Sequence, residues 1–341
     1  MENSVKITSP KPIFSEKQFE NSVRPQKLSE FVGQEKIKYK LSVYLSAACE
    51  RGEPVDHIMF FGPPGLGKTT LANIIAKEIG VGIRVTSGPI LDRPADLVGI
   101  LTSLKKGDVL FIDEIHRLHS NVEEFLYAAM EDFAIDIILD KGPNARAMRI
   151  NLEHFTLVGS TTRTGLISAP LRSRFGIIER IDYYTIEELS SIIQRTSGII
   201  GIDIEEPASF EIAKRTRGTP RIANRILRRV RDFAQVDGHS NITFESVEKT
   251  LRILEIDKQG LDEMDKRLLT AIIEKFNGGP VGLKTLSMAV DEDIGTIEEI
   301  HEPFLIKKGF LQITLRGRIA TKKAYKYFEI NKSELNFNLG E

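Results

Sequence analysis

From Arg24-Pro25 onward, short unbroken apolar runs alternate with stretches in which apolar residues recur every three or four positions. The runs at 57–61, 83–86, 108–112 and 155–160 read as strands, all but 83–86 as buried ones, and the segments 34–50, 69–79 and 121–132 as helices. Strand and helix in turn predict a parallel sheet covered on both faces, an α/β domain over 23–184. The strand signal then stops. From Thr185, an N-cap followed by the acidic first turn Glu187-Glu188, to about Ile256 the period is helical only, predicting a small all-α domain over 185–256. Beyond Gly260 the order is helix, short helix, helix, then strand-like runs at 310–315 and 318–321 flanking Arg316-Gly317, which predicts a winged helix within 257–341. Residues 1–22 show no period and are expected to form a flexible arm.

At 341 residues the chain exceeds one ordinary core and fits two or three domains. Its 41% hydrophobic and 28% charged residues are those of a globular protein, and no apolar run reaches the ~18 residues that would propose a membrane span. With a polar N-terminus and one cysteine, Cys49, expected to fill core, the location expected is the cytoplasm, with no membrane partner. The net charge of -1 hides local asymmetry: Ile212 to Arg231 holds eight basic residues and no acid.

Gly62-Pro63-Pro64-Gly65-Leu66-Gly67-Lys68-Thr69 lies between a strand-like run and a helical one, the setting of a phosphate loop. Its glycines let backbone N–H groups close around phosphates, Lys68 adds a positive charge, Thr69 can ligate Mg²⁺, and the next helix turns its N-terminus to the anion. About 45 residues on, the run Val109 to Ile112 ends in Asp113-Glu114. Alone this could be a strand and a solvated acidic turn; paired with the phosphate loop it assigns Asp113 to Mg²⁺ and Glu114 to the attacking water. Thr162, favoured over Thr161 at the end of the 155–160 run, is placed to contact the γ-phosphate or the water, with capping of the following turn as the alternative. Arg174, with Arg172 in reserve, is the candidate finger supplied to a neighbouring subunit. Thr219 can cap the helix that Pro220 opens, which places Arg221 as a second phosphate sensor; the other basic residues of that run are read mainly as subunit-interface charges.

With Arg24-Pro25, Phe31-Val32-Gly33-Gln34, Asp56 through Asn73, Thr86-Ser87-Gly88-Pro89, Asp113 through Leu118, Ala129 through Asp132, Arg174-Phe175-Gly176 and Arg217 through Arg225, the chain resembles the RuvB family of AAA+ ATPases over about 20–330. The resemblance implies ATP and Mg²⁺ as cofactors, with nucleotide contacts at Gly62, Gly65, Leu66, Gly67, Lys68, Thr69 and Thr70. It places Arg24 and Tyr184 by the base, Glu131, Asp132 and Phe133 near the neighbouring subunit's nucleotide, Arg174 as the trans finger, and Arg221 as the lid sensor. It implies a homo-oligomeric ring, hexameric in the family, that drives Holliday-junction branch migration in recombination and repair on duplex DNA arms. RuvA is the implied partner, and RuvC a further one left open.

Ile135 to Ile150 alternates about Gly142-Pro143-Asn144 and predicts a β-hairpin. Its apolar residues Ile135, Ile137, Ile138 and Leu139 are expected to be exposed and to need a cover, which in this family is RuvA. At the C-terminal end, 257–302 holds five basic and eleven acidic residues, whereas 307–326 holds seven basic and none acidic. The third helix, from about Ile294 to Lys308, carries Glu298, Glu299 and Glu302, which are expected to repel DNA, so contact is placed on the wing at Arg316 and Arg318. Relatives read Leu-Gln-Arg-Thr-Pro-Arg-Gly-Arg where this chain has Leu311-Gln312-Ile313-Thr314-Leu315-Arg316-Gly317-Arg318, one arginine fewer. A clamp-loader-like or regulatory DNA-binding ATPase that does not translocate remains the alternative, set against by the 135–150 hairpin and the Gly218–Arg225 run.

Overall fold

The computed structural model describes residues 14–138 and 147–330. They fall into two compact units, Asn21–Tyr184 and Thr185 onward, the latter joined by the chain before Asn21.

The first unit is built on β1 (Ile58–Phe61), β2 (Ile83–Ser87), β3 (Val109–Asp113), β6 (Thr156–Thr161) and β7 (Ile177–Arg180), in the order β2-β3-β6-β1-β7 with every pairing parallel; β4 (Ala134–Ile138) and β5 (Ala147–Asn151) form a separate antiparallel pair. Helices Glu35–Arg51, Lys68–Ile79, Pro94–Leu101 and Ser120–Glu131 accompany it. Strands covered on both faces need no polar side, which is why Val109 to Ile112 are fully buried. Two elements lay outside the sequence reading. The four-residue β7 is an edge strand whose Ile178 and Glu179 are half-buried, and helix 94–101 is too short for its Leu97 and Leu101 to set a period.

Three expectations change. Phe14–Val23 forms a helix, so the expected arm is ordered over its last turns. Cys49 is exposed rather than core-filling, because Ile37, Leu41, Leu45 and Ala48 take the buried face of its helix. In the hairpin Ile135 is buried: the strands run out of the core, with Leu152 N–H donating to the Phe133 carbonyl at 2.7 Å, and Ile135 packs with Phe155 and Leu152. Ile137 is half-covered and Met148 exposed, while Leu139 and the 142–144 turn lie outside the described residues.

In the second unit helices Ile186–Ile199, Glu206–Lys214, Pro220–Val236 and Phe244–Ile253 surround a two-residue parallel pair, β8 (Asp203–Ile204) with β9 (Asn241–Ile242). Thr185 caps the first, accepting from Glu188 N–H while Glu188 accepts from Thr185 N–H. The winged helix follows: Glu263–Thr270 continuing through a wide turn to Lys275, Leu283–Val290, and Ile294 to Lys307, then β10 (Leu311–Thr314) and β11 (Gly317–Ala320) in antiparallel register. Leu268, Ile272, Leu305 and Phe310 fill its core.

Candidate nucleotide site and nucleic-acid interface

The turn after β1 is a glycine construction. Gly62, at φ +144°, could not carry a side chain, since its Cβ would stand 2.3 Å from the Ile181 carbonyl oxygen. Gly65 and Gly67 also have positive φ, and Gly67 leads into the helix that opens at Lys68. Lys68 is buried and donates to the carbonyls of Gly62 and Pro63, both at 2.8 Å, which lays the ammonium along the loop. Tyr184 is buried with its hydroxyl donating to the Leu66 carbonyl at 3.0 Å, and Phe31 packs beside Gly67. Thr69, Thr70 and Arg24 are half-exposed in this same unit.

Parallel register carries the acids to that edge. Asp113 ends β3, and its Oδ1 accepts from the Ser160 hydroxyl on β6 and from Glu114 N–H at 3.0 Å. Ser160, missed in the sequence because Thr161-Thr162 drew attention, is thus the β6 residue that touches Asp113. Thr161 is buried against His116 Nδ1 at 2.9 Å, while Thr162 remains half-exposed. Glu114 has φ +49°, uncommon for a residue with a side chain, and its carboxylate accepts from Arg117 at 2.9 Å. Behind β1, His57 Nδ1 accepts from Leu157 N–H at 2.9 Å, so its proton sits on Nε2, facing the Met130 carbonyl at 3.2 Å. Burial holds its pKa below the ordinary value.

A second group stands together on this unit. Arg174 donates to Glu131 at 2.8 Å and to the Pro170 carbonyl at 2.7 Å, and its guanidinium lies over the Tyr127 ring at 4.6 Å. Asp132 is exposed and meets Arg149 at 3.4 Å; the Phe133 ring instead turns inward, 4.0 Å from His154 and edge-on to Phe155.

Arg221 belongs to the second unit, where its Nε donates to Glu20 at 3.1 Å. Thr219 does not cap that helix; its hydroxyl donates back to the Thr216 carbonyl at 3.3 Å. Most of the basic run is neutralised within the unit, correcting its reading as interface charge: Arg215 pairs with Glu211 and Glu248, and Arg217 with Asp262 and Asp265 at 2.8 and 2.6 Å. Glu211 sits one turn before Arg215, just outside the 212–231 window, whereas Glu248, Asp262 and Asp265 come from later segments that a linear window could not show. Asp262, Asp265 and His301 converge closely enough to ligate a metal, but the Arg217 guanidinium, stacked on Phe304 at 4.6 Å, already supplies a cation there. Burial pushes the Asp265 carboxyl up, opposed by Arg217 and His301.

The wing arginines part company. Arg316 is exposed at the turn, whereas Arg318 donates to both carboxylate oxygens of Glu302, at 2.6 and 3.0 Å. Glu302 is itself buried, so it faces Arg318 rather than repelling DNA as expected, and only Arg316 of the two is presented outward.

Among the described residues no helix is long and apolar enough to cross a membrane. The chain is similar to the solved Thermotoga maritima RuvB Holliday junction branch migration motor at 51% identity, covering 91% of this chain and 99% of that one with a TM-score of 0.83. A single-residue variant of Thermotoga maritima RuvB matches at 52% identity with the same coverage and a TM-score of 0.84. Three family models match consecutively: the Holliday junction DNA helicase RuvB P-loop domain over 23–181, the RuvB AAA lid domain over 184–257 and the RuvB C-terminal winged helix domain over 258–329. The chain therefore belongs to the RuvB family.

Proposed function

We propose that this chain is the ATPase of a ring motor that drives branch migration of four-way DNA junctions, encircling a duplex arm and acting with RuvA. The observation that carries the reading is one chain holding both a hydrolytic edge, Lys68 with Asp113-Glu114, and a winged helix whose basic segment 307–326 lacks acids.

The residues fit a nucleotide with its metal. The loop has glycines at positive φ and a buried ammonium laid along it, and the Thr69 hydroxyl with the Asp113 carboxylate is the oxygen set a hard cation prefers. Bound there, Mg²⁺ would neutralise charge on the phosphates. Lys68 and the backbone from Gly62 through Thr70 hold the phosphates, with Arg24 and Tyr184 at the base; Ser160 and Glu114 N–H orient Asp113. Glu114, once released by Arg117, orients and polarises the attacking water, and Thr162 is the candidate contact to the γ-phosphate or that water. Arg174 and Glu131, already bonded, form with Asp132 the edge offered to the next subunit's nucleotide; Arg221 reports on phosphate from the lid. Arg316 meets the DNA backbone, while Arg318 fixes the wing against Glu302. The hairpin strands 134–138 and 147–151, with Met148 exposed, are the RuvA surface, and the ring is a hexamer.

The test is ATP-dependent dissociation of a labelled synthetic four-way junction with homologous arms, with and without RuvA. Movement that requires ATP and is abolished by Glu114→Gln supports the motor; DNA-stimulated hydrolysis with no junction movement moves the assignment to a loader or switch. Arg174→Ala should bind ATP yet lose about 10³-fold in hydrolysis, and mixing it with Lys68→Ala should restore part of the rate. A mixture with no recovery rules out a trans finger.

A further inference from the structure

β10 carries an apolar stripe out of the core to the end of the wing. Leu311 is buried, Ile313 two residues on is 48% exposed, and Leu315 at the turn is fully exposed. The turn is closed by the Thr314 hydroxyl donating to the Gly317 carbonyl at 3.0 Å. Below it the hairpin is pinned: Arg318 and Val281 exchange backbone hydrogen bonds at 2.8 and 3.0 Å, and a Cβ on Gly317 would stand 2.4 Å from the Val281 carbonyl oxygen. Leu315 is therefore held outward on a braced hairpin rather than left on a loop that could fold it away. Arg316 beside it and Lys307, Lys322, Lys323 and Lys326 are exposed, and the segment 307–326 contains no acid.

Resting on the DNA-motor reading above, we propose that Leu315 and Ile313 form an apolar grip that enters the minor groove of the duplex arm and packs on the deoxyribose faces, with Arg316 and the lysines on the flanking phosphates. An apolar ridge bordered by cations matches a groove about 6 Å wide whose walls are sugar edges bordered by two rows of phosphate. Arg318, neutralised by Glu302, adds no phosphate contact, so an unusually large share of the wing's hold on DNA is independent of salt. A second copy of the chain fits this surface poorly, since a self-complementary contact would bring Arg316 and the lysines against their own copies. Two apolar side chains are also too little to hold a membrane surface.

The experiment is duplex affinity of the full-length protein across a salt series, for the wild type, Leu315→Ser, Leu315→Met and Arg316→Ala. Leu315→Ser should weaken binding about tenfold at every salt concentration with the slope of log K against log salt unchanged, and Leu315→Met should restore it. Arg316→Ala should lower the slope by about one. The Leu315→Ser deficit should also vanish when netropsin fills the minor groove. Leu315→Ser binding as the wild type does overturns the grip, as does a changed slope. So does a wild-type dimer that Leu315→Ser dissolves, or wild-type binding to phosphatidylserine vesicles that Leu315→Ser abolishes, each of which assigns the ridge elsewhere. A wild type that binds no duplex at any salt refutes the DNA-motor reading itself, a distinct outcome.

Discussion

Asp265→Ala should be the most damaging single change in the second unit. Asp265 is fully buried; it accepts from Arg217 at 2.6 Å, from His301 Nδ1 at 2.6 Å and from Asp262 N–H at 3.1 Å. Its removal leaves a buried guanidinium with Asp262 as its remaining acid, and that guanidinium already has Nε and Nη1 without hydrogen-bond partners. It also strips the partner from His301 and one N–H at the start of helix 263–270. Breaking a buried pair costs about 3–5 kcal/mol; because Asp262 remains, we expect the lower end, about 3 kcal/mol. With a urea m-value of about 2 kcal/mol/M, the unfolding midpoint of this unit should fall by about 1.5 M. The bonds join the segment matched by the lid model to the one matched by the winged-helix model. Far-UV circular dichroism should therefore show the variant's second unit melting in two steps where the wild type has one. A loss below about 1 kcal/mol with a single step would refute the view that Arg217 clasps these segments together.

Two further outcomes follow from groups outside that cluster. Glu20→Gln removes one partly buried carboxylate from Arg221, a pair worth about 1 kcal/mol; with Arg221 proposed as the phosphate sensor, nucleotide affinity should rise by up to about fivefold in a fluorescent-nucleotide titration, and an unchanged affinity would show that Glu20 does not compete with phosphate for Arg221. His57 must stay neutral to accept from Leu157 N–H, and burial sets its folded pKa below the unfolded value of about 6.5. Its contribution is therefore complete above that unfolded value and is lost as pH falls through the folded one, so the melting temperature of the wild type should drop more than that of His57→Gln between pH 7.5 and 5.5. Parallel drops in the two proteins would exclude this role.

What the sequence made legible was whatever neighbours in the chain decide. Gly62 to Thr69 is a local backbone device, and Val109 to Glu114 declares in six residues both a strand buried on two faces and the acids at its end. The hidden features depend on pairings across distance: Ser160 on Asp113, Arg174 on Glu131, Glu302 on Arg318. Composition indicates that such charges need partners and stays silent on which. The hairpin misled for a related reason. Alternation marks a strand pair correctly, yet whether Ile135 is bare depends on Phe155 and Leu152, which arrive from the next segment of chain.

The charge segregation of the C-terminal segment acquires a structural meaning from these pairings. Read linearly, acids over 257–302 and bases over 307–326 resemble two surfaces of opposite sign. In the fold, Asp262 and Asp265 are consumed by Arg217, and Glu302 by Arg318. Three of the eleven acids are thus buried against arginines, among them Glu302 of the helix before the wing, while Arg316 and four lysines stay exposed. The chain can thus carry a net charge of -1 and still present a cationic edge for DNA, because the acid nearest the wing arginine, Glu302, is paired with Arg318 while the exposed Glu298 and Glu299 lie on the preceding helix and not in the 307–326 segment.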